Sequence, residues 1–147
     1  MISSPLTFFT NSSEDTEKAG KKIAGLLKPG DVVCLTGDLG SGKTTLIKGI
    51  AQELSQIDPS EVTSPTFTYL HIYSGLQKIY HFDLYRLSSD EEFLKSGFHE
   101  FLYQNEICCI EWPDKLPPSL SFQKVSINID YLSQEERKIT LWRLNGS

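Results

Sequence analysis

The amino-acid sequence predicts an α/β fold in which a mixed β-sheet is flanked by helices in three layers. Three neighbouring features support this prediction. Residues 31–36 (DVVCLT) form an apolar run that is typical of a strand buried on both faces. A glycine-rich loop follows at residues 37–42, and apolar residues then recur at helical spacing in residues 46–54. A strand, a tight glycine loop and a helix in this order are the start of an α/β fold.

The first 30 residues predict a strand and a helix ahead of this unit. Residues 7–10 are β-prone, and residues 11–15 (NSSED) combine capping side chains with first-turn acids, as at a helix start. The helix is expected to end at Pro29-Gly30. Its apolar residues at helical spacing are Ala19, Ile23, Leu26 and Leu27.

The second half of the chain predicts further strands and one short helix. Two β-rich runs flank Ser74-Gly75 and predict a hairpin. Residues 89–92 (SDEE) begin the short helix, and Gly97 ends it. The strands are expected at residues 67–73, 77–84, 107–112 and 125–131, with a partner strand at 139–144 across a turn at 133–135.

The length and composition predict a single globular domain spanning residues 1–147. An apolar fraction of 39% and a charged fraction of 22% are ordinary for a globular protein, and no bias in the composition argues for disorder, a fibre or a disulfide scaffold. The formal net charge of −5 argues against autonomous binding of nucleic acid, because such binding depends on Lys and Arg neutralising phosphates. Nucleic acid held mainly by a partner protein stays compatible with this charge.

The sequence also predicts a cytoplasmic protein without membrane association. The N-terminal residues lack a basic region followed by an apolar run, and no apolar stretch approaches the roughly 20 residues that cross a bilayer. The three cysteines, Cys34, Cys108 and Cys109, have no zinc-binding spacing. Each lies in a predicted buried strand, so we expect reduced thiols that serve as small core residues.

Residues 37–44 (GDLGSGKT) match the phosphate-loop motif G-x-x-x-x-G-K-[ST] without a gap. Glycines let the backbone wrap closely around phosphate, so that its N–H groups and the positive end of the following helix face the charge. We therefore predict a P-loop NTPase-like site for a nucleoside triphosphate, with ATP and Mg²⁺ favoured. Lys43 is expected to bridge the outer phosphates, the Thr44 hydroxyl to coordinate magnesium, and Thr45 to contact the inner phosphate.

Phosphoryl transfer around magnesium also requires an acid at the end of a nearby strand. Glu111 ends the apolar run ICCIE, which is the usual presentation of a metal-linked or water-positioning acid, although it can be an ordinary strand-end carboxylate. Asp83 is the second candidate, and a salt bridge to Arg86 or a turn cap is its structural alternative. His81 alternates with Phe82 and is interpreted as a hydrogen-bonded sheet histidine without a chemical role.

The segment Ser64-Pro65-Thr66 follows the phosphate-loop helix after a short linker. In phosphate-loop hydrolases a threonine in this region often senses magnesium and the terminal phosphate, so Thr66 is a candidate switch residue. The alternative is that Pro65 only shapes the start of a strand.

Four segments, in this order and at similar spacing, resemble the bacterial TsaE (formerly YjeE) family: GDLGSGKTT, SPTFT, YHFDLYRL and IEWPDKLP. The resemblance covers essentially the whole chain. It implies a cytoplasmic, magnesium-dependent ATPase that acts with TsaD and TsaB in tRNA threonylcarbamoyladenosine (t6A) biosynthesis. Such a protein supports or resets the complex without transferring the group itself, and it meets tRNA only through the complex. Activity is expected to be weak alone and stimulated by the partners.

The resemblance also implies roles for individual residues. Asp83 becomes a catalytic or water-positioning acid beside Lys43, and Glu111 becomes the magnesium-linked acid with Thr44. Trp112 is expected close to the nucleotide or a partner surface, and Ser41 stands where the family usually has alanine. Motif and resemblance together assign ATP binding to Asn11, Ser13, Asp38, Leu39, Gly40, Ser41, Gly42, Lys43, Thr44, Thr45 and Arg137.

Two other functions fit a phosphate loop. A small-molecule kinase needs an acceptor pocket and usually an arginine-bearing lid, and the sequence has no arginine-rich insert. A nucleotide-dependent binding module, in which hydrolysis is incidental, stays open at the level of sequence.

Overall fold

The computed structural model describes residues 4–38, 40–65 and 67–143. Leu39, Thr66 and Leu144, on which predictions were made, lie outside the described residues. The strands are β1 (Leu6–Thr10), β2 (Asp31–Thr36), β3 (Leu70–Ser74), β4 (Lys78–Asp83), β5 (Ile107–Glu111), β6 (Gln123–Tyr131) and β7 (Arg137–Arg143). The α-helices are α1 (Ser13–Ala24), α2 (Lys43–Leu54) and α3 (Asp90–Lys95).

The described strands form one mixed sheet in the order β1-β7-β6-β2-β5-β4-β3. The central strand β2 runs parallel to both β5 and β6, and β4 runs parallel to β5. The pairs β3–β4, β6–β7 and β1–β7 are antiparallel. The carboxyl ends of β2, β5 and β4 therefore meet at one edge of the sheet, which is where α/β folds place their sites.

Helices cover both faces of the sheet and complete three layers. On one face, Val33 and Leu35 of β2 share a core with Leu46 and Ile50 of α2 and with residues of α1. On the other face, an aromatic core around Phe82 includes α3 and a 3₁₀ helix at Phe98–Tyr103. The predicted three-layer, mixed α/β fold is thus confirmed.

Two glycines bring α1 and α2 into close contact. A side chain on Gly20 would overlap the carbonyl of Leu46, and one on Gly49 would overlap the carbonyl of Glu17. The backbones can approach so closely only because both positions lack a Cβ. This contact holds the start of α1 beside the start of α2, where the phosphate loop ends.

The secondary structure differs from the prediction in several details, and strands β6 and β7 each begin two residues earlier than predicted, at Gln123 and Arg137. Helix α1 ends at Ala24, because the chain turns through Gly25 and the next two N–H groups bond to carbonyls only three residues back. Strand β3 begins at Leu70, three residues later than predicted. The 3₁₀ helices at Pro59–Glu61, Phe98–Tyr103 and Pro113–Lys115 were not predicted, although Phe98, Phe101 and Leu102 recur at helical spacing.

The three cysteines are buried and form no disulfide, as expected for small core residues. Burial raises the pKa of the Cys34 thiol to about 11 and that of Cys108 to about 12, so both stay protonated near neutral pH. No helix among the described residues combines the length and the hydropathy that spanning a bilayer requires.

Candidate functional site

The phosphate loop connects β2 to α2 in a conformation that requires glycine. Gly40 and Gly42 have φ angles of 77° and 110°, a region that other residues rarely adopt. Gly42 caps α2, and its carbonyl accepts the N–H of Leu46 at 2.9 Å. At Gly37 a Cβ would lie 2.7 Å from the carbonyl oxygen of Ile129. The glycine spacing of the motif therefore follows from backbone geometry and close packing.

Lys43 points its amino group back into the loop. The residue is only 5% exposed, and Nζ donates to the carbonyl oxygens of Gly37 and Asp38, the second at 3.2 Å. Nζ also lies 4.0 Å from the centroid of the Trp112 ring. Burial lowers the pKa of Lys43, while the nearby carboxylates, Glu111 first among them, act in the opposite direction. A cation held by neutral carbonyls and an aromatic face is well suited to receive an anionic ligand.

Thr44 and Glu111 meet at the carboxyl end of β5. The Thr44 hydroxyl lies 3.3 Å from Oε1 and 3.1 Å from Oε2 of Glu111, which is 4% exposed. Hydroxyl and carboxylate oxygens are the hard donors that Mg²⁺ accepts, and Mg²⁺ commonly uses one or two carboxylates together with substrate phosphates. The predicted metal pair is therefore adjacent and chemically suited to magnesium. Among the described residues, no group of three or more His, Cys, Asp and Glu could hold a metal by itself.

Asp83 lies in register with Glu111 on the adjacent strand β4. Its carboxylate accepts the Ser64 hydroxyl and, at 3.0 Å, the backbone N–H of Tyr85. The bond to Tyr85 is the turn cap that the sequence left open, whereas Asp83 makes no ion pair with Arg86 in the described part of the chain, and the Arg86 guanidinium lies 5.4 Å from the Phe67 ring. Asp83 and the phosphate loop line the same pocket. This pocket is lined by Gly40, Ser41, Gly42, Lys43, Thr44, Thr45, Ser64, Asp83, Glu111 and Trp112.

His81 contacts the site acid directly, which the sequence did not reveal. The imidazole is fully buried, with Nε2 2.6 Å from Oε2 of Glu111 and Nδ1 2.8 Å from the hydroxyl of Tyr73. The histidine is hydrogen-bonded within the sheet, as predicted, but its partner is the predicted metal-linked acid. We call Thr44, His81, Asp83 and Glu111 the acid side of the loop.

Arg137 approaches the phosphate loop from the opposite side. Its Nε donates to the carbonyl oxygen of Ser41 at 2.8 Å, and Nη2 donates to that of Gly40 at 3.4 Å. Nη1 donates to the Ser133 carbonyl at 2.7 Å, and the guanidinium lies 4.4 Å from the Tyr131 ring. Arg137 therefore fastens the β6–β7 turn to the outside of the loop.

A second, polar pocket lies between this turn and the start of α1. Ser12 accepts the Asp15 N–H at 3.0 Å and caps α1, which brings Ser13 to the pocket, while Asn11 is exposed and donates its backbone N–H to Asp15. The pocket is lined by Ser12, Ser13, Thr16, Gly40, Ser41, Gly42, Thr45, Gln134, Glu135 and Arg137. We call Ser12, Ser13, Gln134, Glu135 and Arg137 the turn side of the loop.

Ser41 and Trp112 occupy unusual environments. Ser41 is 1% exposed, and its hydroxyl has no hydrogen-bond partner in the described part of the chain. Trp112 has a φ of 60°, uncommon for a bulky residue, and its ring packs 4.9 Å from that of Tyr85. This backbone turn, just after Glu111, places the indole over the Lys43 amino group.

A glycine loop that follows the central strand and faces acids at the ends of its neighbours defines a P-loop NTPase-like α/β protein. Within this class the chain belongs to the TsaE family. Residues 10–139 match the family model described as "Threonylcarbamoyl adenosine biosynthesis protein TsaE".

Similar proteins and a solved structure agree with this assignment. The "tRNA threonylcarbamoyladenosine biosynthesis protein TsaE" of Treponema pallidum is 39% identical over 132 residues, which cover 90% of this chain and 96% of that protein. The Bacillus subtilis protein of the same name is 38% identical over 136 residues, with coverage of 92% and 84%. The crystal structure of Bacillus subtilis YdiB has a TM-score of 0.74 at 32% identity and covers 99% of this chain and 88% of that one. The predicted family and fold are confirmed.

Proposed function

We propose that this protein binds ATP with Mg²⁺ at the phosphate loop and hydrolyses it as an accessory of t6A modification of tRNA. The observation that carries the proposal is the convergence of Lys43, Thr44 and Glu111 on one pocket at the carboxyl ends of the central strands. A cation, a hydroxyl and a carboxylate beside a glycine loop are the groups that position a triphosphate for attack by water.

Each group has a role that its surroundings support. Lys43 exchanges its bonds to loop carbonyls for phosphate oxygens, and the loop N–H groups bind the remaining oxygens. Thr44 and Glu111 hold Mg²⁺, which supplies neutralisation of the charge on the outer phosphates. Asp83, fixed by Ser64 and Tyr85, orients the attacking water or accepts its proton. On the turn side, Ser13 and Arg137 border the pocket proposed for the nucleoside.

The arrangement of the arginines supports slow hydrolysis by the isolated protein. The sequence has only three arginines, and each is engaged elsewhere. Arg86 lies over Phe67, Arg137 binds loop carbonyls, and Arg143 pairs with Asp31 at 2.6 Å. None of these guanidinium contacts is with the acid side, and an arginine directed at the transferred phosphate accelerates related reactions by roughly 10³- to 10⁵-fold. We infer that a partner completes the site.

Family membership supports the proposed setting. The named relatives are t6A biosynthesis proteins, and the partners we propose are TsaD and TsaB in the cytoplasm. The formal net charge of −5 is consistent with tRNA being held by the partners and not by this chain.

Phosphate release tests the proposal when it is measured for the protein alone, with TsaD and TsaB, and with tRNA added. We expect a low rate alone and an increase of about tenfold or more in the assembly, because partner contacts supply charge stabilisation that this chain lacks. Equal rates in all three mixtures contradict partner coupling. Phosphate on an added small molecule, in place of free phosphate, favours a kinase.

A nucleotide-dependent binding module is the second candidate, and the absence of arginine contacts on the acid side among the described residues favours it. Glu111→Gln distinguishes the two, since it removes the carboxylate charge and leaves the phosphate loop intact. If hydrolysis resets the complex, the assembly with Glu111→Gln forms t6A once and then stalls. Continued t6A formation at the rate of the unmodified assembly supports the binding module.

A further inference from the structure

A hydrogen-bond chain runs from Glu111 into the interior of the sheet. Nε2 of His81 lies 2.6 Å from Oε2 of Glu111, and Nδ1 lies 2.8 Å from the Tyr73 hydroxyl. That hydroxyl lies 3.3 Å from the carbonyl oxygen of Thr63, which is also 3.0 Å from Nδ1 of His71. The chain thus connects the site acid to the backbone just before Ser64, whose hydroxyl binds Asp83.

The donors and acceptors along this chain fit together. A carboxylate accepts hydrogen bonds, so Nε2 of His81 donates to Glu111. Nδ1 of His81 faces the Tyr73 hydroxyl, whose oxygen can accept and whose single proton is donated either to Nδ1 or to the Thr63 carbonyl oxygen. The imidazole is therefore held at both nitrogens, and it presents one N–H to the carboxylate in a fixed orientation.

Burying the polar groups of this hydrogen-bond chain costs desolvation free energy, which suggests that the chain has a role beyond packing. His81 is fully buried and shares its sheet face with Ile79 and Cys109. An apolar side chain there would avoid the desolvation of the imidazole, but it would leave the buried Glu111 carboxylate without this hydrogen bond. A glutamate side chain also has considerable rotamer freedom, and bonds from Thr44 and His81 to the same oxygen remove it.

We propose that His81 is a positioning residue that fixes the Glu111 carboxylate from behind, and that Tyr73 holds His81 in turn. The inference deepens the proposed function and rests on it. Groups that hydrogen-bond to a metal ligand and orient it affect metal affinity or activity by about 10- to 100-fold when they are removed. Neither His81 nor Tyr73 lines the pocket that contains Glu111. Their effect on activity is therefore expected to pass through Glu111.

Two substitutions at His81 separate positioning from folding. His81→Leu has similar bulk and no donor, whereas His81→Gln can place an amide N–H where Nε2 lies. We expect His81→Leu to lower kcat by about 10- to 100-fold with little change in KM, and His81→Gln to restore kcat to within about fivefold of the unmodified protein. If His81 has only a structural role, His81→Gln and His81→Leu of equal thermal stability should have the same kcat.

Magnesium dependence gives a readout that is independent of turnover. Calorimetric titration of ATP at a series of Mg²⁺ concentrations measures the Mg²⁺ concentration that gives half of the full gain in ATP affinity. We expect His81→Leu to raise this midpoint by about tenfold, while ATP affinity without Mg²⁺ stays unchanged. His99→Leu is the matched control, because that histidine belongs to the 3₁₀ helix at Phe98–Tyr103 outside the site.

Tyr73 is tested through its dependence on His81. Tyr73→Phe is expected to lower kcat by about three- to tenfold in the unmodified protein and to have no further effect in His81→Leu. Tyr80→Phe is the control, because Tyr80 is also a buried tyrosine of this hairpin, but its hydroxyl donates to Gln104.

The outcomes distinguish this inference from the proposed function. If the unmodified protein binds and hydrolyses ATP, and folded His81→Leu shows the same kcat and Mg²⁺ midpoint within twofold, the positioning role is wrong and the proposed function stands. If the unmodified protein binds ATP with Mg²⁺ but releases no phosphate, hydrolysis fails, and the Mg²⁺ midpoint alone decides the role of His81. If the unmodified protein binds no ATP, both the proposed function and the positioning role of His81 are wrong.

Discussion

The acid side and the turn side of the phosphate loop are built in different ways. On the acid side, the side chains of Thr44 and His81 both contact Glu111, and His81 is fully buried on β4, between the parallel strand β5 and the antiparallel strand β3. On the turn side, Arg137 binds backbone carbonyls of the loop and of its own turn. The pocket there is bordered by the start of a helix and a hairpin turn.

The difference between the two sides indicates which groups must be held in a precise position. Side-chain networks inside a sheet are held by packing on both faces, so they fix charged groups to within about 0.5 Å. Contacts to backbone carbonyls tolerate substitution of the residues that carry them, since any residue supplies the same carbonyl. We therefore assign chemistry to the acid side and adjustable binding to the turn side, and the following substitutions test this division.

Glu111→Gln is expected to have the largest effect. It keeps an acceptor for His81 and removes the charge that we propose binds magnesium, so kcat for phosphate release should fall by roughly 10²- to 10⁴-fold. At saturating Mg²⁺, ATP affinity should change by less than about fivefold, because Lys43 and the N–H groups of the loop still bind the phosphates. Steady-state phosphate release and calorimetry measure the two quantities. Glu106→Gln, just before β5 at its other end, is the control, and normal hydrolysis by Glu111→Gln would refute the acid assignment.

Lys43→Ala is expected to have the next largest effect, and on binding. The loop loses its cation and the bonds to Gly37 and Asp38, and a charged hydrogen bond contributes about 1.5–3 kcal/mol, or roughly 10- to 150-fold in Kd. Calorimetric titration with ATP and Mg²⁺ measures the change. Lys48→Ala on the same helix α2 is the control. An unchanged Kd would show that Lys43 of the phosphate loop does not bind ATP.

Arg137→Met is expected to have the smallest effect. It keeps much of the apolar packing on Tyr131 and removes the bonds to Ser41 and Gly40, which should weaken ATP binding by about fivefold, or about 1 kcal/mol. The value of kcat should stay within about twofold. Lys138→Met, the next position on β7, is the control. If kcat falls as far as in Glu111→Gln, the proposed division between the two sides is wrong.

Local sequence signals were sufficient for the elements that carry the loop. The run predicted as a strand at residues 31–36 is β2, because a strand buried on both faces is apolar throughout. Helix α2 begins at Lys43, where the motif places it. The pairing of Thr44 with a strand-end acid also followed from the chemistry that magnesium requires.

The remaining features depend on pairing between distant segments. Alternation along β4 puts Ile79, His81 and Asp83 on one face, but only the register of β4 against β5 brings His81 to Glu111. The insertion of β2 between β5 and β6 is a further long-range choice, with no local signal. Arg137 reaches the loop because β6 runs beside β2 and its hairpin turn then lies over residues 40–41.

The position of Trp112 gives the protein a built-in optical probe. Its indole lies 4.0 Å below the Lys43 ammonium, and the emission of an indole responds to a charge held over its face. A ligand that draws the ammonium towards its own oxygens therefore changes the light that Trp112 emits. Trp142 on β7 is the only other tryptophan, so Trp142→Phe leaves a single emitter that reports the occupancy of the phosphate loop without any attached dye.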